Sequence, residues 1–164
     1  MSFSVKIISG GQTGVDQAAL RAALELDFSV GGWCSPGRMS EGTEIPSEFA
    51  LIETEKERSP KAPEIPRSQR TELNVRDSDA TLILNPHTAK SDPGTEWTVQ
   101  CTQLYKKPFL IVDPYAPDAE KHIFEWIEEI NAEILNVAGP SEGNSPGIYQ
   151  KVYKLLYDVF SKIK

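Results

Sequence analysis

Two glycine-containing loops carry the residue types that most often bind phosphate or another anion. The first, GGQTGVD, joins a short β-branched segment to an alanine-rich segment with helical spacing. Glycine lets a backbone turn sharply and approach a ligand, and a helix start offers free N–H groups and a positive dipole end. The loop lacks the lysine of a P-loop, and Thr13 and Asp16 also have the spacing of a capping box in a helix without any ligand. The candidate residues are Gly10, Gly11, Gln12, Thr13, Gly14 and Asp16.

The second loop, DPGTE, follows an apolar segment and precedes another helical one. It repeats the logic of the first loop, with a glycine and then a hydroxyl at a helix start. In an open α/β sheet, ligands bind beyond the carboxyl ends of the strands, so two such loops on neighbouring strands would face one crevice. Its candidate residues are Gly94, Thr95 and Glu96, and Gly139-Pro140-Ser141 supplies further small residues at the same rim.

A third polar feature is the segment RTELNVRD. Arg70 and Asn74 are four residues apart and share a face of a helix, which Asp77 continues. The segment has few apolar residues, so burial does not explain its polar side. Arg70 could clamp an oxyanion with two hydrogen bonds, or it could be a solvated arginine with an aspartate partner. Arg38, in CSPGR, is a weaker candidate for a mobile cation near the site.

The elements that would position these residues alternate between strands and helices. Apolar runs at 4–9, 30–33, 80–84, 109–113 and 133–139 predict five strands, and amphipathic segments between them predict helices, the last beginning at Ser145-Pro146. This alternation predicts one α/β domain over residues 1–164, a three-layer doubly wound fold with about five parallel strands. We expect the strand order 2-1-3-4-5, with 3-2-1-4-5 as the alternative.

Residues 35–68 interrupt this regular alternation. The segment holds five prolines among many charges, and loops of this length in a compact domain are usually functional or disordered. Two interpretations stay open, a solvated surface excursion and a lid over the ligand site. The stretch FALIE predicts a short strand inside it.

Composition excludes several classes of function. Seventeen basic residues against twenty-four acidic ones leave a net charge of −7, which argues against nonspecific nucleic-acid binding. No apolar run approaches the ~20 residues that span a bilayer. The two cysteines form no CxxC motif and the two histidines stand alone, so we expect no metal site, reduced thiols and a cytoplasmic protein without a secretory signal.

Several longer segments together resemble a known family: GGQTGVDQAALRAALEL, GGWCSPGR, RTELNVRDSDATLIL and LNVAGPSEGNSPGIY. They are similar to the putative molybdenum carrier proteins, which resemble the molybdenum-cofactor carriers. Both belong to a Rossmann-like superfamily with the Lonely-Guy (lysine-decarboxylase-like) nucleotide hydrolases. The resemblance implies a glycine-rich site for a phosphate-bearing, nucleotide-like ligand, and dimers or tetramers. The positions it implies are Gly10, Gly11, Thr13, Gly14, Gly94 and Thr95.

One departure from the hydrolases bears on function. Their motif PGGxGTxxE places a glutamate three residues after the threonine, whereas this chain has Thr98 there. The nearest carboxylate, Glu96, is rotated by about 200° on a helix. We therefore expect a binding or carrier protein for a phosphorylated small molecule, with molybdenum cofactor or molybdate as candidates, rather than an enzyme. The alternatives are a nucleotide hydrolase with rearranged catalytic residues (Glu96, Asp16 or Asp113) and a ligand-gated partner protein.

The last helix bears on assembly. Its apolar stripe is flanked by tyrosines, and with the apolar first helix it offers more apolar surface than one sheet face needs. This surplus predicts a homodimer or tetramer. The stripe consists of Ile148, Val152, Leu155, Val159 and Ile163.

Overall fold

The computed structural model describes residues 5–87 and 92–163. Within these ranges the helices are α1 (Val15–Glu25), α2 (Ser68–Arg76), α3 (Pro93–Leu104), α4 (Ala119–Ile130) and α5 (Ile148–Ile163). The strands are β1 (Lys6–Ile8), β2 (Val30–Gly31), β3 (Trp33–Cys34), β4 (Met39–Ser40), β5 (Thr43–Glu44), β6 (Ile52–Glu53), β7 (Ala80–Leu84), β8 (Phe109–Val112) and β9 (Ile134–Ala138).

Five of these strands form the central sheet, and every pair in it is parallel. Side chains alternate between its faces, as the pleat requires. Leu82 and Leu84 enter one core with residues of α1, α4 and α5, whereas α2 and α3 pack against each other around Val75 and Trp97. The predicted α/β class, the parallel sheet and the Rossmann-like fold are confirmed.

The predicted strand order is wrong. The sheet runs β2-β1-β9-β7-β8, so the last strand lies at its centre, between β1 and β7. Two features hold it there. Leu135 and Val137 are fully buried, and the Asp79 carboxylate ahead of β7 accepts the Glu133 and Ile134 N–H groups at 3.0 and 2.9 Å.

Counting from β9 explains this order. If β9 is numbered first, the five strands read 3-2-1-4-5, which is the order of the doubly wound dinucleotide-binding fold. In chain numbering the alternative order considered above is also wrong, because the last strand rather than the first lies at the centre. The loop between β9 and α5 takes the place of the first βα turn, which carries the phosphate-binding glycines in that fold.

Residues 35–68 form a packed segment rather than a freely solvated one. Ile45, Phe49 and Leu51 form a buried cluster with Leu20 of α1. β6 pairs with β3, β4 pairs with β5, and β6 covers the end of the FALIE stretch. The fold therefore holds this segment against the domain, next to the carboxyl end of β1.

Arg38 organises this segment from within. Its guanidinium donates to the carbonyl oxygens of Leu51, Pro46 and Phe49 at 3.1, 3.1 and 3.2 Å, and to that of Ile45 at 3.4 Å. The interpretation of Arg38 as a mobile cation is wrong, because its donors are already used by the backbone of the same segment.

Helix α5 begins later than Ser145-Pro146 predicts. Gly147 has φ +90°, which a right-handed helix cannot contain, so the helix starts at Ile148. The Glu142 carboxylate accepts hydrogen bonds from the backbone N–H groups of Gly147 and Tyr149 at 2.6 and 2.9 Å.

The apolar face of α5 is used inside the chain. Val152, Leu156, Val159 and Phe160 are fully buried in the core that α5 shares with α1 and α4. Leu155 and Ile163 of the predicted stripe are partly buried against the same core. Most of the stripe is therefore used inside the chain, and the homo-oligomer remains a prediction.

Both cysteines, Cys34 and Cys101, are buried free thiols. No helix within residues 5–87 and 92–163 has the length and apolar character needed to cross a membrane.

Candidate functional site

A cavity of about 70 Å³ lies at the carboxyl ends of β1, β9 and β7. Three loops that follow these strands form most of its wall, and helix α2 closes one side with polar side chains. The lining includes Gly10, Gln12 and Asp16 from the first loop, Arg67, Arg70, Thr71 and Asn74 from the start and face of α2, Asp92, Gly94, Thr95 and Thr98 around the start of α3, and Asn136 to Ser141 with Asn144 around the end of β9.

The β9–α5 loop forms the middle of this wall. A Cβ atom at Gly139 would collide with the Leu84 carbonyl oxygen, and it would lie 2.6 Å from Val15 Cγ2. Only glycine therefore lets this loop pass between β7 and α1. The two predicted loops reach the same cavity across this central strand, although they do not follow adjacent strands.

A buried ion pair joins the first loop to α2. Arg70 Nη1 lies 3.3 Å from Asp16 Oδ2, with side-chain exposures of 14% and 3%. Burial raises the pKa of the Asp16 carboxyl, and the charge of Arg70 opposes that rise. A Cβ atom at Gly10 would overlap Arg70 Nη1, so this glycine makes room for the guanidinium.

One donor of Arg70 is left unused. Its Nε is buried and has no hydrogen-bond partner among the described residues, and such a group costs free energy unless something satisfies it. The Gln12 side chain satisfies its neighbours when its oxygen faces the two arginines, where it accepts from Arg70 Nη2 at 3.2 Å and also from Arg67 Nε. Two guanidinium groups thus converge on one polar cavity.

The structure brings seven of the eleven predicted site residues to this cavity. They are Gly10, Gln12, Asp16, Arg70, Asn74, Gly94 and Thr95. The other four, Gly11, Thr13, Gly14 and Glu96, lie outside its wall.

The four outliers have other roles or positions. Gly11, with φ +80°, faces Leu51 Cδ1, which lies 2.5 Å from where its Cβ would be. Gly14 has φ +82°, and a Cβ atom there would lie 2.6 Å from both the Pro140 carbonyl oxygen and the Glu142 backbone nitrogen. Glu96 is exposed on α3.

Thr13 does not cap α1, so the capping-box interpretation is wrong. The Thr13 hydroxyl donates to Glu41 Oε1 instead, and the first helical residues follow Gly14 without a side-chain cap. Asp16 does accept a backbone N–H, that of Gln12, at 3.2 Å. Its carboxylate is therefore shared between the loop backbone and Arg70.

Two further polar residues of the cavity wall already make hydrogen bonds to neighbouring groups. The Asp92 carboxylate caps α3 by accepting the Thr95 N–H at 2.8 Å and its hydroxyl at 3.1 Å. Asn74 pairs with the backbone of Trp33, accepting its N–H at 2.8 Å and donating to its carbonyl at 3.0 Å. The donors free to meet an anion therefore come mainly from the arginines.

Sequence reasoning missed several residues of the cavity wall. Arg67 lies three residues before Arg70, a spacing that could have indicated a shared face. Asn136 is a buried polar residue in an otherwise apolar strand, which is itself a signal of a polar requirement. Thr98 was considered only as the residue in place of the hydrolase glutamate, and Thr71 and Asn144 carried no distinguishing pattern.

Comparison with known proteins identifies the family to which this chain belongs. The model of the circularly permutated YpsA SLOG family matches residues 7–160, so the chain belongs to that family. The strand order of this chain, with β9 at the centre, agrees with a circular permutation. A crystal structure of a putative molybdenum carrier protein from Syntrophus aciditrophicus SB is 39% identical, with a TM-score of 0.83 over 97% of this chain and 96% of that one. No curated protein matches the chain.

Among the described residues, no group of three or more histidine, cysteine, aspartate or glutamate side chains could hold a metal ion.

Proposed function

We propose that this chain is a binding or carrier protein for a phosphorylated, nucleotide-like small molecule whose anionic group enters the cavity between α2 and the β9–α5 loop. The observation that carries the proposal is the convergence of Arg67 and Arg70 on the cavity, with Arg70 Nε unpaired and buried. A phosphate oxygen would accept this donor, and guanidinium groups suit oxyanions because of their forked geometry.

The size of the cavity limits what can be enclosed. A volume of about 70 Å³ is well below the ~300–1,000 Å³ of pockets that enclose drug-sized ligands. A tetrahedral oxyanion is the group expected inside, and a nucleoside or a pterin would extend outward from it. The name of the Syntrophus relative makes molybdate and molybdenum cofactor candidates alongside nucleotides.

Calorimetry against phosphate, molybdate, nucleoside monophosphates and pterin phosphates tests the proposal. Arg67→Ala should weaken binding by roughly 10- to 150-fold, the equivalent of about 1.5–3 kcal/mol for a charge-assisted bond. Gly94→Asp should weaken it by placing a second carboxylate at the cavity wall. Arg67 is preferred to Arg70 because its exposed side chain is less important for folding than the buried ion pair.

Arg58→Ala is the matched control. Arg58 is an exposed arginine of the same 35–68 segment, pairs with Glu57 at 2.9 Å and lies outside the cavity wall. It removes the same charge and should leave affinity unchanged. Equal affinity of all three variants and the wild type would place the anion elsewhere.

One observation favours a nucleotide hydrolase as the second candidate. Asp16 lines the cavity and burial raises the pKa of its carboxyl, a pattern common to catalytic acids and bases. Glu96 and Asp113 lie away from this cavity and lose their support. Release of free base from a nucleoside monophosphate, abolished in Asp16→Asn, would favour hydrolysis over carriage.

A further inference from the structure

Glu41, at the tip of the β4–β5 hairpin, places its carboxylate on the loops of the proposed site. Oε1 accepts the Gly143 N–H at 2.9 Å and the Thr13 hydroxyl. Oε2 accepts the Ser141 hydroxyl at 3.0 Å. The carboxylate is thus held by three donors from two loops, at the carboxyl ends of β1 and β9.

The backbone around this carboxylate is shaped to receive it. A Cβ atom at Gly143 would overlap Glu41 Oε2, so any residue with a side chain there would occupy the same space. Thr13 is fixed from both sides, because its hydroxyl accepts the Glu142 N–H at 3.2 Å and its own N–H donates to Ser40 at 3.0 Å. The contact with Glu142 joins the two loops without Glu41, whereas the contact with Ser40 belongs to the same hairpin.

The turn itself does not explain a glutamate at this position. Glu41 and Gly42 have φ of +48° and +79° and form a two-residue hairpin turn between Ser40 and Thr43. Asparagine, aspartate and glycine are preferred at the first position of such turns, and a longer side chain is strained there. The contacts of its carboxylate therefore account for this residue better than the turn does.

The carboxylate behaves as an anion and lies next to the cavity. The hydrogen bond from Thr13 is the main reason why the pKa of Glu41 lies below its ordinary value, and Gly143, Ser141 and the charge of Arg67 act in the same direction. Ser141 and Arg67 also line the cavity, so the two sites share a wall. Glu41 is exposed, so a competing anion can reach it from solvent.

We infer that the donors of Thr13, Ser141 and Gly143 form a second anion subsite, which the Glu41 carboxylate fills until a ligand with two linked phosphates displaces it. The inference rests on the proposed function, since the first phosphate would occupy the cavity. Phosphate and carboxylate oxygens accept the same N–H and O–H donors, so the exchange replaces one anion by another. Displacement would also release the hairpin from the β9–α5 loop.

Titration with inorganic phosphate and pyrophosphate separates the two subsites. Glu41→Ala and Glu41→Gln should raise affinity for pyrophosphate about tenfold, since an internal competitor is removed, and change affinity for phosphate by no more than about twofold. Glu44→Gln is the control, because it removes one charge from the same hairpin. In the wild type, pyrophosphate but not phosphate should speed amide exchange across residues 39–44.

The possible outcomes test the second subsite, the cavity or both. An unchanged ratio of pyrophosphate to phosphate affinity in both Glu41 variants overturns the second subsite, even if Arg67→Ala weakens phosphate binding as proposed. Pyrophosphate binding that gains from Glu41→Ala but is unaffected by Arg67→Ala supports an anion site at Thr13, Ser141 and Gly143, but it overturns the cavity and thus the linked-phosphate arrangement. If Glu44→Gln matches Glu41→Gln, the gain comes from charge alone and the subsite is overturned. Binding of neither anion to any variant overturns both.

Discussion

At the scale of single residues, the Asp16–Arg70 pair links stability to the candidate site. Removing one partner of a buried pair leaves a charge without compensation, which typically costs 3–5 kcal/mol. The unpaired Arg70 Nε means that the pair leaves part of the guanidinium unsatisfied. A bound anion would therefore accept a hydrogen bond from a donor that the fold has already removed from water.

The pH dependence of stability follows from Asp16. Burial raises the pKa of Asp16 in the folded state above its ordinary value of 3.8, so the folded protein binds this proton more tightly than the unfolded chain does. The contribution of Asp16 to the free energy of unfolding therefore falls as pH rises from 3.8 through the raised pKa. Asp16→Asn should remove this fall, so the stability of this variant relative to the wild type should rise between acid pH and pH 7. Urea unfolding of both proteins at a series of pH values measures the difference.

The difference between the wild-type and Asp16→Asn curves is the informative quantity, because the other acidic groups contribute to both. If the two curves stay parallel across the acid range, Asp16 does not titrate in the folded state as described.

Gly11→Val should act on the 35–68 segment rather than on the ligand. Its side chain would meet Leu51 and Ile45, whose Cδ1 atoms lie 2.5 and 3.1 Å from the Cβ position. Backbone strain at φ +80° adds to this overlap, so we expect a loss of about 2–4 kcal/mol in the free energy of unfolding. Thermal unfolding and calorimetry together separate stability from affinity.

Gly37→Val distinguishes strain from overlap. Gly37 has φ +92°, and no described atom lies within 4 Å of its Cβ position, so this variant bears strain alone and should be the milder of the two. A folded Gly11→Val protein that has lost anion binding would instead restore Gly11 as a ligand residue.

At the scale of elements, Arg38 determines whether the 35–68 segment keeps its shape. Arg38→Met should lower the free energy of unfolding by about 1.5–3 kcal/mol, the range for hydrogen bonds from a charged donor. It should also speed amide exchange around Ile45 to Leu51, the residues whose carbonyls it holds. Denaturant unfolding and hydrogen exchange provide the two measurements.

The control for Arg38 is an arginine with only a surface partner. Arg76 pairs with Asp77 at 2.8 Å on the exposed side of α2, and such pairs contribute about 0–1 kcal/mol. Arg76→Met and Arg38→Met should therefore differ clearly. Equal effects would mean that the four carbonyl contacts do not stabilise the segment.

The elements were largely predictable because their signals are local. Apolar runs indicated β7 and β9. The DPGTE stretch was predicted as a loop before a helix, whereas α3 already begins at Pro93, because proline suits the first helical position. The start of α5 was missed because Ser145-Pro146 looks like a cap, while Gly147 and the distant Glu142 carboxylate determine where the helix begins.

The strand order was not predictable from the same signals. Apolar content shows that a strand is buried but not which strands are its neighbours, and nothing local in β9 indicates that it separates β1 from β7. Residues of the two predicted glycine loops do line one cavity, yet the prediction relied on an adjacency that the sheet does not have. The Asp16–Arg70 pair was also missed, since its partners are 54 residues apart.

At the scale of the whole molecule, the permuted order predicts that the chain tolerates being cut elsewhere. β9, α5 and β1 already lie as the parts of a parallel crossover unit would, because β9 pairs with β1 in parallel and α5 shares the core with α1. Phe160, near the end of α5, packs on Phe28 just before β2 at 5.6 Å between ring centroids. The end of α5 therefore lies near the start of β2, the edge strand that pairs with β1.

A circular permutant that starts at Ala132, ends at Asn131 and joins residue 164 to residue 1 should therefore fold. Its strands would follow the order 3-2-1-4-5, with a new β9–α5–β1 crossover of the kind that is right-handed between parallel strands. Every residue of the cavity wall would stay on its own element. We expect a melting temperature within about 2–4 °C of the wild type, a change of roughly 1 kcal/mol, and the same affinity for phosphate. A second permutant opened between Gly143 and Asn144 should also fold, because it cuts no strand or helix, but it should bind phosphate more weakly since it breaks the β9–α5 loop. If the first permutant folds without binding, or the second binds like the wild type, the β9–α5 loop is not the central wall of the site.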